Sequence, residues 1–67
     1  MAKTSIKSIV SKLGVKGEWE ECDDRQYFYA YCDSAKQYAE FKRCVMEAGI
    51  EIDYDEPESN YIEIVED

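Results

Sequence analysis

The chain has 67 residues, 8 Lys+Arg against 16 Asp+Glu and no His, for a formal net charge of −8. One domain of this size buries only roughly 60% of the surface its unfolded form exposes, so its stability is thin unless it oligomerises or binds something. A hydrophobic content of 45% is too high for a disordered acidic tail, and no apolar run reaches the ~20 residues of a membrane span.

The first predicted element is a helix over about residues 4–13. Ile6, Ile9, Val10 and Leu13 recur at helical spacing and form one apolar stripe. Thr4 or Ser5 supplies the N-cap, and Gly14 fits the left-handed position after the last turn, with Val15 packing back on Val10. A hairpin follows over about 15–32, turning at Asp23-Asp24. A second helix spans about 34–48, capped by Ser34 with Gln37 three residues on, or by Asp33. Its stripe is Ala35, Tyr38, Phe41, Cys44, Val45 and Ala48, and Gly49 ends it. A second hairpin covers about 50–65, with Pro57 in its loop because proline cannot donate to a ladder. The expected fold is α+β in the order α-β-β-α-β-β: a four-stranded, mainly antiparallel sheet with two helices on one face.

Register then decides every side chain, because strands have a period of two. With Asp23-Asp24 as a two-residue turn, Trp19 faces Phe28, Gly17 faces Ala30 and Val15 faces Cys32, which makes a core face. The other face pairs Glu20 with Tyr27, Glu18 with Tyr29 and Lys16 with Tyr31. In the second hairpin Ile50, Ile52, Tyr54, Ile62 and Ile64 share the core side, while Glu51, Asp53, Tyr61, Glu63 and Val65 face away. The helices belong on the isoleucine and Trp19 side. The sheet's far side is therefore expected to show Tyr27, Tyr29, Tyr31 and Tyr61 among Glu18, Glu20, Glu51, Asp53 and Glu63. Tyrosine combines large, fairly rigid contact area with a polar tip, which suits an interface. It is also simply a good strand former that tolerates a wet face.

Charge is divided along the chain. Residues 1–16 carry Lys3, Lys7, Lys12 and Lys16 and no acid, while residues 17–67 carry all 16 acids with Arg25, Lys36, Lys42 and Arg43. The first helix either docks on the sheet and solvates its lysines, or serves as an arm that pairs with another subunit's acidic face. The acids give solubility and protect sheet edges. Spread along strand and loop, they also suit a groove lined by Lys and Arg, where they stand in for phosphates. The same balance opposes direct contact with nucleic acid or an anionic membrane.

Three cysteines, Cys22, Cys32 and Cys44, form no CxxC pair, and an odd count argues for a reducing, cytoplasmic setting with Cys32 and Cys44 as small core residues. No signal-peptide core follows the first lysine. Without His there is no usual general base near neutral pH. Residues Asp53 to Ile64 begin like a calcium loop but place Pro57, Glu58 and Ile64 where ligands and a glycine are required. No Gly-rich phosphate loop or Ser/His/Asp set is present. Neither catalysis nor a metal or other cofactor is expected.

In size, charge and tyrosine content the chain resembles the small acidic proteins of anti-CRISPR or anti-restriction type carried by phages and mobile elements. The resemblance implies a non-enzymatic inhibitor that occupies the basic groove of a nucleic-acid-binding protein, in the cytoplasm of the host cell. The alternative is a structural or assembly subunit that forms a homodimer or larger oligomer through the tyrosine face or an open sheet edge, which answers the small core directly.

Overall fold

A computed structural model describes residues 5–66. The order is α1 (Ile6–Leu13), β1 (Lys16–Cys22), β2 (Arg25–Tyr31), α2 (Ala35–Glu47), β3 (Glu51–Glu56), a single 3-10 turn at Pro57–Ser59, and β4 (Tyr61–Glu66). The four strands form one antiparallel sheet in the order β1-β2-β4-β3. The last strand enters the middle. β2 and β3 both run antiparallel to β4, so the connection through α2 is a crossover between parallel strands, and β4 fills the gap it leaves. The Cα atoms span 16 Å in the thinnest direction, the thickness of one helix layer on one sheet.

Both helices start and stop by the same local chemistry. The Ser5 hydroxyl accepts from the Ser8 backbone N–H, and that of Ser34 accepts from Gln37. The alternative cap Thr4 and the basic residue Lys3 lie outside the described residues. At the other end Gly14 and Gly49 take positive φ, at 67° and 74°. The following N–H groups of Val15 and Ile50 reach back to the carbonyls of Val10 and Val45, which seats a β-branched side chain in the core after each helix.

The core contains Ile6, Ile9, Val15, Phe28, Ala30, Tyr38, Phe41, Val45, Ile50, Ile62 and Ile64. Phe28 and Phe41, both essentially fully buried, meet with ring centroids 6.2 Å apart. Each such side chain contributes about 1.5–3 kcal/mol through burial. Helix α1 docks through Ile6 and Ile9 in this same core and leaves Lys7 and Lys12 in solvent. Val10, Leu13, Cys32, Cys44, Ala48 and Ile52 are half-buried around it, so the two cysteines border the core rather than fill it. Ala35, expected in the α2 stripe, is exposed.

Two further expectations are corrected. Trp19, expected in the core, is 40% exposed. Helix α2 packs over β3 and β4, and α1 packs beside α2, so neither described helix packs closely over the edge strand β1, and all seven of its residues are exposed. Trp19 instead leans on Phe28, centroids 4.6 Å apart. The second correction is Tyr54, expected on the isoleucine side. Ile52 pairs with Ile64 but Tyr54 pairs with Glu63, so Asp53 is an extra residue at a β-bulge. After one inserted residue every later side chain in β3 changes face. Tyr54 and Glu56 turn to the helix-free side, and Asp55 turns under α2, where it accepts hydrogen bonds from the Tyr38 hydroxyl and from Lys42 at 2.7 Å.

Candidate protein-binding face

The hairpin β1–β2 closes on the two-residue turn Asp23-Asp24, with φ of 50° and 67°. Positive φ at both positions belongs to the turn whose twist matches antiparallel strands. It fixes the register Lys16 with Tyr31, Glu18 with Tyr29 and Glu20 with Tyr27. Strand β4 continues each row: Tyr31 beside Tyr61, Tyr29 beside Glu63, Tyr27 beside Val65. Strand β3 completes them with Glu56, Tyr54 and Glu51.

The helix-free side is therefore a lattice of three rows across four strands. The rows read Lys16–Tyr31–Tyr61–Glu56, Glu18–Tyr29–Glu63–Tyr54, and Glu20–Tyr27–Val65–Glu51. Arg25, paired with Cys22, begins the next row. Five tyrosines alternate with five glutamates, and within these rows the glutamates stand against the ammonium of Lys16. Of the sequence-expected site residues, Tyr27, Tyr29, Tyr31, Tyr61, Glu18, Glu20, Glu51 and Glu63 meet on this face. Asp53 departs from it as the unpaired residue of the bulge on the edge strand. Tyr54 and Glu56 join it. Sequence alternation could not find them, because Ile50-x-Ile52-x-Tyr54 reads as one unbroken strand face and tyrosine suits either side.

The rings touch one another. Tyr61 lies between Tyr31 and Tyr54, with centroids 5.2 and 6.1 Å away. Tyr31 and Tyr54 are 49% and 48% exposed, so their apolar edges are open to a partner. Val65 at the other side is 3% exposed and gives the face a closed apolar floor between Tyr27 and Glu51.

Three of the five hydroxyls are bound to carboxylates. Tyr29 donates to Glu20, Tyr61 to Glu63, and Tyr54 to Glu56 at 2.7 Å. Ser59 also donates to Glu56, at 2.7 Å. Glu56 is held below the usual carboxylate range by the hydroxyls of Tyr54 and Ser59. The Tyr29 hydroxyl is pushed up to about 12, first by its bond to Glu20 and then by burial. Burial and then the bond to Glu63 raise Tyr61 above the usual tyrosine value, and the bond to Glu56 raises Tyr54. At neutral pH these tyrosines are neutral donors and Glu56 is an ionised acceptor. Three of the five carboxylates, Glu20, Glu56 and Glu63, thus have their acceptor oxygens oriented by tyrosine hydroxyls. Glu18 and Glu20, two residues apart on one strand, are separated by ~7 Å along it, on the order of the step between successive phosphates of one nucleic-acid strand.

Elsewhere on the surface, a shallow cleft of about 220 Å³ lies between the helices, lined by Ser8, Ile9, Lys12, Cys44, Glu47 and Ala48. Among the described residues no three Cys, Asp or Glu side chains gather as a metal-holding group, and no helix is long and apolar enough to cross a membrane. Comparison with protein-family models, curated proteins and solved structures finds no match to this chain.

Proposed function

We propose that the chain is a non-enzymatic protein-binding module that places its tyrosine–glutamate face in a basic groove of a nucleic-acid-handling protein and so inhibits it as a partial nucleic-acid mimic. The observation that carries this reading is the lattice itself: five carboxylates in rows with five tyrosines, three of them (Glu20, Glu56 and Glu63) held by tyrosine hydroxyls, on the side of the sheet that no described helix covers. The glutamates offer the charge that a Lys/Arg groove otherwise takes from phosphates. The rings of Tyr27, Tyr29, Tyr31, Tyr54 and Tyr61 are the anchors that lose water on docking. The free thiols of Cys22, Cys32 and Cys44 support a reducing setting, the cytoplasm of the cell that holds the target. An anti-CRISPR or anti-restriction role, carried by a phage or mobile element, is the biological form this chemistry fits.

The alternative of a homo-oligomer through this face has charge against it. Stacking two copies sets five glutamates against five others with two lysines and two arginines to offset them, and like charges brought together out of water are costly.

Binding to the target is expected to weaken at least ~tenfold between ~50 and ~500 mM salt, as ion release from the groove ceases to drive it. Affinity measured by calorimetry across that range checks this, and affinity indifferent to salt contradicts the mimic.

A further inference from the structure

The two edges of the sheet are unlike. β3 is broken by the bulge at Asp53 and ends at Pro57, devices that keep another strand from adding to it. β1 is regular over Lys16–Cys22, without proline or bulge, and among the described residues it pairs with β2 and with no other strand.

Its free hydrogen-bonding groups can be assigned. The two-residue turn closes on a bonded pair, Cys22 with Arg25. Bonded and non-bonded pairs then alternate along an antiparallel ladder, so Lys16, Glu18, Glu20 and Cys22 direct their backbone groups to β2. Gly17, Trp19 and Glu21 direct N–H and C=O to the open edge. On the helix side of that edge stands the exposed ring of Trp19. On the other side Glu18 and Glu20 project from the lattice.

Self-pairing is opposed by this pattern. The longest antiparallel pairing of two copies, about a two-fold axis at Trp19, sets Glu18 against Glu20 of the second copy on both sides of the axis. A basic strand has the opposite relation to the same residues. We propose that β1 accepts an extended basic segment of the target as a fifth, antiparallel strand. Lys or Arg side chains of that segment lie opposite Glu18 and Glu20, and an apolar side chain lies on Trp19. The target is thereby held by main-chain bonds at the edge as well as by the adjoining face. The sign of the partner's charge rests on the proposed function, whereas the open edge is a separate feature of the fold.

The test uses the intact chain with synthetic peptides matched to the seven residues of β1. One alternates lysine with valine or threonine, one carries glutamate in place of lysine, and one is the basic peptide N-methylated at alternate nitrogens. Amide hydrogen exchange is followed by NMR. The expected result is that the basic peptide slows exchange at Gly17, Trp19 and Glu21 and shifts the Trp19 indole signal. N-methylation along the pairing edge is expected to weaken binding at least ~tenfold. Glu18→Lys with Glu20→Lys is expected to reverse the preference between basic and acidic peptides. A variant with Tyr54→Ser and Tyr61→Ser, on the two strands away from β1, is expected to keep the edge response, which separates this proposal from that of the face.

The proposal is overturned if the peptide perturbs the tyrosines without protecting those three amides, a result that leaves the face reading intact. It is equally overturned if basic and acidic peptides behave alike, or if neither binds. Protection of the same amides without peptide, with dimer in sedimentation, makes a second copy the occupant and also overturns it.

Discussion

A single residue, Asp53, decides the composition of the face. Without the bulge, Tyr54 lies under α2 and Asp55 lies outside. With it, Asp55 faces Tyr38 and Lys42, and Tyr54 extends the aromatic row of Tyr31 and Tyr61. The bulge is held where Asp55 is held. Burial pushes the Asp55 carboxyl up, but the hydrogen bonds from Lys42 and Tyr38 outweigh it and leave the carboxyl below its ordinary value. A group with a depressed folded pKa contributes stability above its unfolded pKa and loses it as pH falls through the folded value. Lys42, raised chiefly by its bond to Asp55, contributes below its own unfolded pKa and loses this as pH rises through the folded one. The pair therefore stabilises the fold between the acid and alkaline limits. Asp55→Asn is expected to melt lower at neutral pH and to lose less stability on acidification. Melting temperatures from about pH 2 to 7 check this, and an acid slope equal to that of the parent chain rules Asp55 out as the responsible group.

At the level of elements, most of the architecture was legible because each boundary has a local cause. Ser5 and Ser34 open helices, Gly14 and Gly49 close them, and the register of the first hairpin follows from asking which turn keeps Trp19 away from the glutamates. The bulge was not legible, since its only trace is an aspartate in a strand whose alternation looks intact. The strand order was not legible either, because insertion of β4 between β2 and β3 is set by a long-range crossover and leaves no local mark. Trp19 misled for a third reason: register gave its face correctly, but face alone does not say how far across the sheet the helices reach. Beside β1 it is Phe28 of β2, not a helix, that fills the space: a Cβ at Gly17 would sit 2.5 Å from the Phe28 ring and 2.3 Å from the Tyr29 carbonyl oxygen. The turn offers a direct test of the element account. Asp24 holds a φ of 67°, which a glycine takes without strain. Asp24→Gly is expected to stabilise the chain by about 0.5–1 kcal/mol, read from urea unfolding. An unchanged midpoint means that the turn conformation is not strained.

At the scale of the whole molecule, the net charge of −8 divides into a basic first helix and an acidic remainder. Folding sets the lysines of α1 on the helix layer and five glutamates on the opposite side of the sheet, so the molecule is electrically two-sided. A small core and crowded carboxylates leave little stability in reserve, and the proposed basic partner would add to it by neutralising that face. This is the central claim, and one measurement addresses it most directly. The chain is immobilised beside the variant with all five face tyrosines changed to Ser and a second variant carrying Glu18→Gln, Glu20→Gln and Glu63→Gln, each first shown to be folded by circular dichroism. All three are exposed to a lysate of the chain's native cellular background, and captured proteins are identified by mass spectrometry with and without competing duplex DNA. The expected result is a nucleic-acid-binding protein held by the parent chain, released by the duplex, and lost from both variants. Equal capture by parent and variants, or capture that duplex DNA does not disturb, contradicts the claim.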